Sequence, residues 1–168
     1  MFINKLLILL MVFVTSLVLA LPEDTKQPIE IEADSVFVDE IKGFNEFIGN
    51  AEVRQGSLLL LAELIQVQTN DEEVVSVIAK GTLEKFAKYS QNQENQERFI
   101  EGTAALIRYD VNEGMIFLIG NARLLQGFDS FSGDTLNYDI DNNKVFVKGS
   151  KDGTKDFSPK RVKFKIVL

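Results

Sequence analysis

The chain contains no cysteine, no histidine and no tryptophan. Without cysteine there is no disulfide, no thiol nucleophile and no cysteine to carry a lipid. Without histidine the commonest general base and metal ligand is missing. No Asp/Glu set can then have His or Cys beside it at metal-ligand spacing, so neither a metal nor a cofactor is expected. Two carboxylate pairs, Asp134 with Asp139 and Glu30 with Glu32, are candidates for acid–base chemistry. Glu30 and Glu32 alternate with Ile29 and Ile31, which makes them solvated groups on the polar face of a strand. No enzyme is expected. The formal charge of −7 disfavours a nucleic-acid partner.

Long apolar runs are also scarce. The one candidate spans Leu6 to Leu19, broken only by Thr15 and Ser16, with Lys5 before it and Val18-Leu19-Ala20 at its end. It is short for a membrane span, which needs about 20 residues. It reads as a secretory signal peptide over residues 1–20, cut near Ala20. That predicts a periplasmic protein of a Gram-negative cell, with residues 21–168 forming one domain. The alternative is an uncleaved anchor from Ile3 to Leu21.

What remains reads as strand almost throughout. Apolar and polar residues alternate in Ile29-Glu30-Ile31-Glu32-Ala33, Ala51-Glu52-Val53-Arg54, Val145-Phe146-Val147 and Val162 to Leu168. Turn signals fall between, at Gly43, Gly49-Asn50, Gly56-Ser57, Gly81-Thr82, Gly102-Thr103, Gly120-Asn121, Gly127, Gly133-Asp134 and Asp141-Asn142-Asn143. The polar stretch Ser90 to Arg98 predicts a loop. Charge divides along the chain. From Lys148 onward seven basic side chains face only Asp152 and Asp156, so an acidic body ends in a basic strand.

A shift of 71 residues lays Phe47-Ile-Gly-Asn-Ala-Glu-Val-Arg-Gln-Gly56 on Leu118-Ile-Gly-Asn-Ala-Arg-Leu-Leu-Gln-Gly127. A shift of 29 lays Ala33–Val38 on Ala62–Val67, and Ala104–Tyr109 on Gly133–Tyr138. Four modules result, opening at Ala33, Ala62, Ala104 and Gly133. One module cannot bury its own apolar face, so neighbours must stack and share an interior. Parity places Ile29, Ile31, Ala33, Val36, Val38, Phe47, Val53, Leu60, Leu83, Phe86, Tyr109, Leu118 and Tyr138 among the inward residues.

Gln27-Pro28-Ile29-Glu30-Ile31-Glu32-Ala33-Asp34 resembles the opening of mature members of the LptA (OstA-like) family of periplasmic lipopolysaccharide-transport proteins. Phe47–Gly56 with Leu60-Leu-Ala-Glu63 is similar to that family's central motif, and Gly120–Gln126 with Gly133–Tyr138 to its second copy. The resemblance implies an all-β, twisted, open jellyroll whose sheets meet in a V around an apolar groove. It implies head-to-tail stacking with itself and with the LptC and LptD jellyroll domains, while lipid A acyl chains pass along the groove. ATP would be spent by the inner-membrane transporter.

Matched by motif position, the lipid path would include Thr25, Ile29, Ile31, Phe86, Tyr109 and Val111, the last in place of the family's Leu. Val36, Val38, Phe47, Val53, Leu60, Leu118 and Tyr138 join them from parity. Asn70-Asp71-Glu72-Glu73 is acidic where the family carries basic residues. Assembly would use the edge strands at Ile29, Glu30 and Ile31 and at Val162, Phe164 and Ile166, whose unpaired N–H and C=O groups can receive another strand. The family's membrane-anchored LptC-like member, with its N-terminal segment retained, is the alternative reading.

Overall fold

The computed structural model describes Asp24 and residues 27–71, 73–92, 99–149 and 162–166. The expected signal peptide, Thr25 and the last two residues lie outside them.

Twelve strands occur among these residues. They are β1 (Ile29–Glu32), β2 (Ser35–Asp39), β3 (Phe44–Gln55), β4 (Leu58–Asn70), β5 (Glu73–Lys80), β6 (Ala87–Asn92), β7 (Phe99–Ala104), β8 (Leu106–Asp110), β9 (Met115–Gln126), β10 (Asp129–Asp139), β11 (Lys144–Lys148) and β12 (Lys163–Lys165). All ladders are antiparallel. Pairing defines two layers. The first runs β1-β3-β4-β6-β7-β9-β10-β12 and the second β2-β3-β4-β5-β8-β9-β10-β11. The long strands β3, β4, β9 and β10 belong to both, because each bends midway and continues into the other layer. The result is an all-β jellyroll.

The bends have a local cause. In β3 the pairing with β4 shifts between Ile48 and Ala51, so Gly49 and Asn50 together oppose Glu63. In β9 the pairing with β10 shifts at the same place, with Gly120 and Asn121 opposing Asp134. Two residues against one is a β-bulge, which bends its strand. Gly49 and Gly120 have φ of +82° and +80°, and Asn50 and Asn121 follow at +44° and +52°. Glycine takes these values without steric cost, and asparagine tolerates them better than most residues. The Gly-Asn pairs predicted as turns are thus mid-strand bulges. Gly102-Thr103 and Gly133-Asp134 also lie within strands. A turn signal becomes a bulge where the partner strand continues past it.

At the apex of the fold the layers share a line of small residues. Ala51 pairs with Ala62, Ala87 with Ala104 and Ala122 with Gly133. All five alanines are buried. Small side chains allow the two inner faces to approach. A Cβ added at Gly102 in the first layer would lie 2.7 Å from Leu118 Cδ2 in the second.

Two inward expectations and one loop expectation need correction. Leu83 is 95% exposed, because it lies in the β5–β6 connection rather than on a strand. Ala33 is exposed where the chain crosses between layers. Ser90, Gln91 and Asn92 belong to β6, not to a loop, because β4 and β7 hydrogen-bond to it on either side.

Candidate functional site

The inner face is a set of apolar rows running across the strands. In the second layer, cross-strand pairing aligns Val36, Phe47, Ile65, Ala79, Ile107, Leu118, Leu136 and Val147. A parallel row holds Val38, Val67, Val77, Tyr109, Ile116, Tyr138 and Val145, interrupted by Asn45. In the first layer Ile31, Val53, Leu60, Tyr89, Gly102, Leu124, Phe131 and Phe164 align. Among the described residues no polar or charged side chain other than tyrosine is buried.

Burial follows position along these rows. In the second layer Ile65, Leu118 and Leu136 are fully buried in the middle, whereas Val36 at one end is 59% exposed; in the first layer Phe164 at one end is 66% exposed. Phe47, Val53, Val77, Tyr109, Phe131, Val145 and Val147 are half-buried against the core. Each row is thus packed at its centre and less buried toward its ends. The end strands β1, β2, β11 and β12 each pair on one side only among the described residues.

Most of the residues expected from sequence fall on these rows: Ile31, Val53 and Leu60 in the first layer, and Val36, Val38, Phe47, Tyr109, Leu118 and Tyr138 in the second; Ile29 lies off them, opposite Gln55. Val111 stands off them, in the β8–β9 turn, where its N–H donates to Val75 O at 3.1 Å. Phe86 is half-buried just before β6. It lines an open depression at the bend with Thr103, Arg123 and Ser132 and with Ala122 and Gly133 of the apex. It precedes β6 rather than lying in it, so strand parity does not govern its side chain. Of the edge residues, Phe164 lies in β12, and Val162 and Ile166 flank that strand.

Sequence reasoning missed Tyr89, Ile100 and Phe131 as inward residues, whereas parity places Leu124 there. Tyr89 sits directly opposite Gly102, and the space that glycine leaves is taken by Leu118 Cδ2 from the other layer. Burial pushes the Tyr89 hydroxyl well above the ordinary phenol range, and the nearby Tyr138, Tyr109 and Asp24 add to the effect. Tyr109 is raised by burial first, then by Asp141 and Asp110. Both therefore stay neutral at physiological pH. The Tyr138 hydroxyl donates to Asn143 Oδ1 at 3.1 Å.

The rim of the first layer carries a polar latch that sequence also missed. The Asp24 carboxylate accepts from the Ser57 hydroxyl at 2.6 Å, the Ser57 N–H at 2.8 Å and the Gln91 side-chain amide at 2.9 Å. Burial alone would raise this carboxyl, but the three hydrogen bonds outweigh it and hold the pKa below its ordinary value. A lone Asp ahead of the first strand carries no pattern that could have revealed this.

Nothing in these rows brings acid, base or nucleophile together. Their chemistry is apolar contact along a continuous inner surface with open ends. Fold and surface define a β-jellyroll protein of the apolar-groove class. The family described as "LptA/(LptD N-terminal domain) LPS transport protein" matches residues 30–144, and the chain belongs to it.

Over 149 residues the chain is 30% identical to the lipopolysaccharide export system protein LptH of Pseudomonas aeruginosa, covering 87% of this chain and 82% of that one. It is 31% identical over 126 residues to lipopolysaccharide export system protein LptA of Escherichia coli K12, covering 75% and 67%. The crystal structure of LptH, described as the LptA homologous periplasmic component of the lipopolysaccharide transport device of Pseudomonas aeruginosa, superposes with a TM-score of 0.75. That match has 26% identity and covers 88% of this chain and 100% of that one. The described residues hold no helix long and apolar enough to cross a membrane.

Proposed function

We propose that this chain is a periplasmic carrier of lipopolysaccharide. The acyl chains of lipid A lie along the inner rows, and the lipid passes from unit to unit in a head-to-tail stack of jellyrolls. An LptC-like domain stands at one end of the stack and an LptD-like domain at the other. The observation that carries this reading is the inner face itself, apolar across both layers and exposed at each end. Acyl chains gain about 25 cal/mol per Å² of apolar surface removed from water, and no directional bond fixes their position. A ligand held this way can slide. The chain does no chemistry on it.

The test compares neighbouring positions on one strand. Photo-crosslinking residues at Ile31, facing inward, are expected to capture lipopolysaccharide. The same residues at Glu30 and Glu32, facing outward, are not. Equal capture at all three positions would contradict the proposal.

A further inference from the structure

The two copies of the sequence repeat share a scaffold but not a charge. The shift of 71 residues lays Glu32, Asp34 and Glu52 on Thr103, Ala105 and Arg123. Three carboxylates of the first copy are thus absent from the second, and a guanidinium stands in place of one of them. The backbone is alike at both places, because Gly49-Asn50 and Gly120-Asn121 make the same bulge.

The exchange releases two side chains. In the first copy Arg54 Nε donates to Glu52, and the Asn50 side-chain amide donates to Asp34 Oδ2 at 3.2 Å. In the second copy alanine replaces that aspartate, and Asn121 makes no side-chain hydrogen bond among the described residues. Arg123 makes no ion pair there either. By contrast Lys42, Arg54 and Lys88 are each held by a carboxylate, and Arg108 rests on Phe117. In a chain with 25 acidic and 18 basic side chains, an exposed arginine without a carboxylate calls for a reason.

Both released groups line the depression at the bend. Arg123 opposes Thr103 on one neighbouring strand and Ser132 on the other, and all three line the same hollow. Neighbouring strands lie about 4.8 Å apart, so the guanidinium stands between two hydroxyls. No carboxylate lines the hollow. Asp134 follows Gly133 in the chain but lies outside the lining, and Glu101 is engaged by Lys88 Nζ at 2.8 Å. The Ser132 hydroxyl donates to Lys163 O at 3.4 Å, a long contact that a charged acceptor can displace.

We propose that this depression binds a phosphate group carried on a sugar. An arginine presents a planar fork that matches two phosphate oxygens. The Thr103 and Ser132 hydroxyls and the Asn121 amide donate to the remaining oxygens. Phe86 forms an apolar wall on which a sugar ring can rest, and a bare ion would leave it uncovered. The hollow has a volume of about 480 Å³, within the range of about 300–1,000 Å³ usual for small-ligand sites. The inner rows hold no cation, so the depression supplies a recognition chemistry that they lack. A phosphorylated lipid headgroup and a soluble sugar phosphate present the same group, and the test separates them.

The full-length chain is titrated with glucose 1-phosphate, with inorganic phosphate and with glucose at constant ionic strength, and the thermal unfolding midpoint is followed. A ligand that binds only the folded chain raises that midpoint. Glucose 1-phosphate is expected to raise it at lower concentration than inorganic phosphate, and glucose not at all. Arg123→Gln is expected to weaken the apparent affinity about tenfold or more, with an unchanged midpoint in the absence of ligand. Arg54→Gln, at an arginine already paired, is expected to keep the wild-type affinity.

A second arm measures binding of lipopolysaccharide before and after enzymatic removal of its phosphates. Weaker binding by Arg123→Gln of the phosphorylated form alone supports the site with the lipid headgroup as its occupant. Equal binding of both forms by wild type and Arg123→Gln, with the glucose 1-phosphate effect retained, supports it with a soluble sugar phosphate. No midpoint shift with glucose 1-phosphate, an equal shift with glucose, a shift that persists in Arg123→Gln, or one lost equally in Arg54→Gln would overturn the proposal. The carrier reading is judged separately, by capture at Ile31.

Discussion

A shift of 71 residues lays β1, β2, β3 and β4 on β7, β8, β9 and β10, and the pairing of β5 and β6 matches that of β11 and β12. Strands β1 to β6 and β7 to β12 thus form two halves that share one plan and differ mainly in what stands next to them. In the first half β5 and β6 are covered by the second half. Ala79 and Ala87 there are fully buried, and Tyr89 is 6% exposed. Their counterparts β11 and β12 have no such neighbour among the described residues, and Phe164 is 66% exposed. The same difference separates β7 and β8 from β1 and β2. Where the junction is internal, its residues are small or fitted: Tyr89 faces Gly102. At the open edges the residues are larger and charged: Phe164 and Ile31, flanked by lysines and glutamates.

The largest effects are expected in the shared centre, where the halves should respond alike. Ile65→Ala and Leu136→Ala occupy corresponding positions on one inner row, and both side chains are fully buried. Each is expected to cost about 2–5 kcal/mol in urea unfolding. A large loss at one and none at the other would break the equivalence of the halves.

The internal junction should be less tolerant than the free edge. Gly102→Val drives side-chain atoms against Leu118, whose Cδ2 would lie only 2.7 Å from a Cβ at position 102. About 1–3 kcal/mol of destabilisation is expected. The matching position in the first half already carries Ile31, so Ile31→Val is expected to leave stability nearly unchanged. Equal effects would contradict the assignment of one junction as packed and the other as open.

The bulges give a finer comparison. Gly49→Ala and Gly120→Ala both force a side chain into a positive-φ conformation, at about 1–2 kcal/mol each. At Gly49 the new Cβ also meets Asp34 Oδ2 at 2.3 Å, whereas at Gly120 it meets Ala105 Cβ at 3.0 Å. Gly49→Ala is therefore expected to lower the unfolding midpoint further.

The smallest effect belongs to the Asp24 latch. Its folded pKa lies below the ordinary carboxylate value, so its stabilisation is present above the unfolded pKa of about 3.9 and is lost as pH falls through the folded value. Asp24→Asn is expected to cost less than about 1 kcal/mol at neutral pH, because solvent screens the site. The difference from wild type should vanish in acid. A difference that persists there would assign the effect to packing instead.

Strand alternation and the repeat were legible in the sequence because both depend on local pattern. Ile29-Glu30-Ile31-Glu32 sets its own faces, and the repeated Phe-Ile-Gly-Asn-Ala motif marks corresponding strands. The role of Gly49-Asn50 was not legible, because a bulge and a hairpin turn use the same residues and only the partner strand distinguishes them. Tyr89 was hidden for a related reason. Its strand is short and polar, and it is held by ladders to β4 and β7 rather than by propensity.

The central claim is that lipid lies on the inner face of this sheet. Tyr109 and Arg108 are adjacent on β8, the first directed inward and the second outward over the ring of Phe117, 4.3 Å from its centroid. Photo-crosslinking from each position in turn, with lipopolysaccharide present, is the most direct test. Capture at Tyr109 with none at Arg108 is the predicted result, and equal or reversed capture would contradict the account.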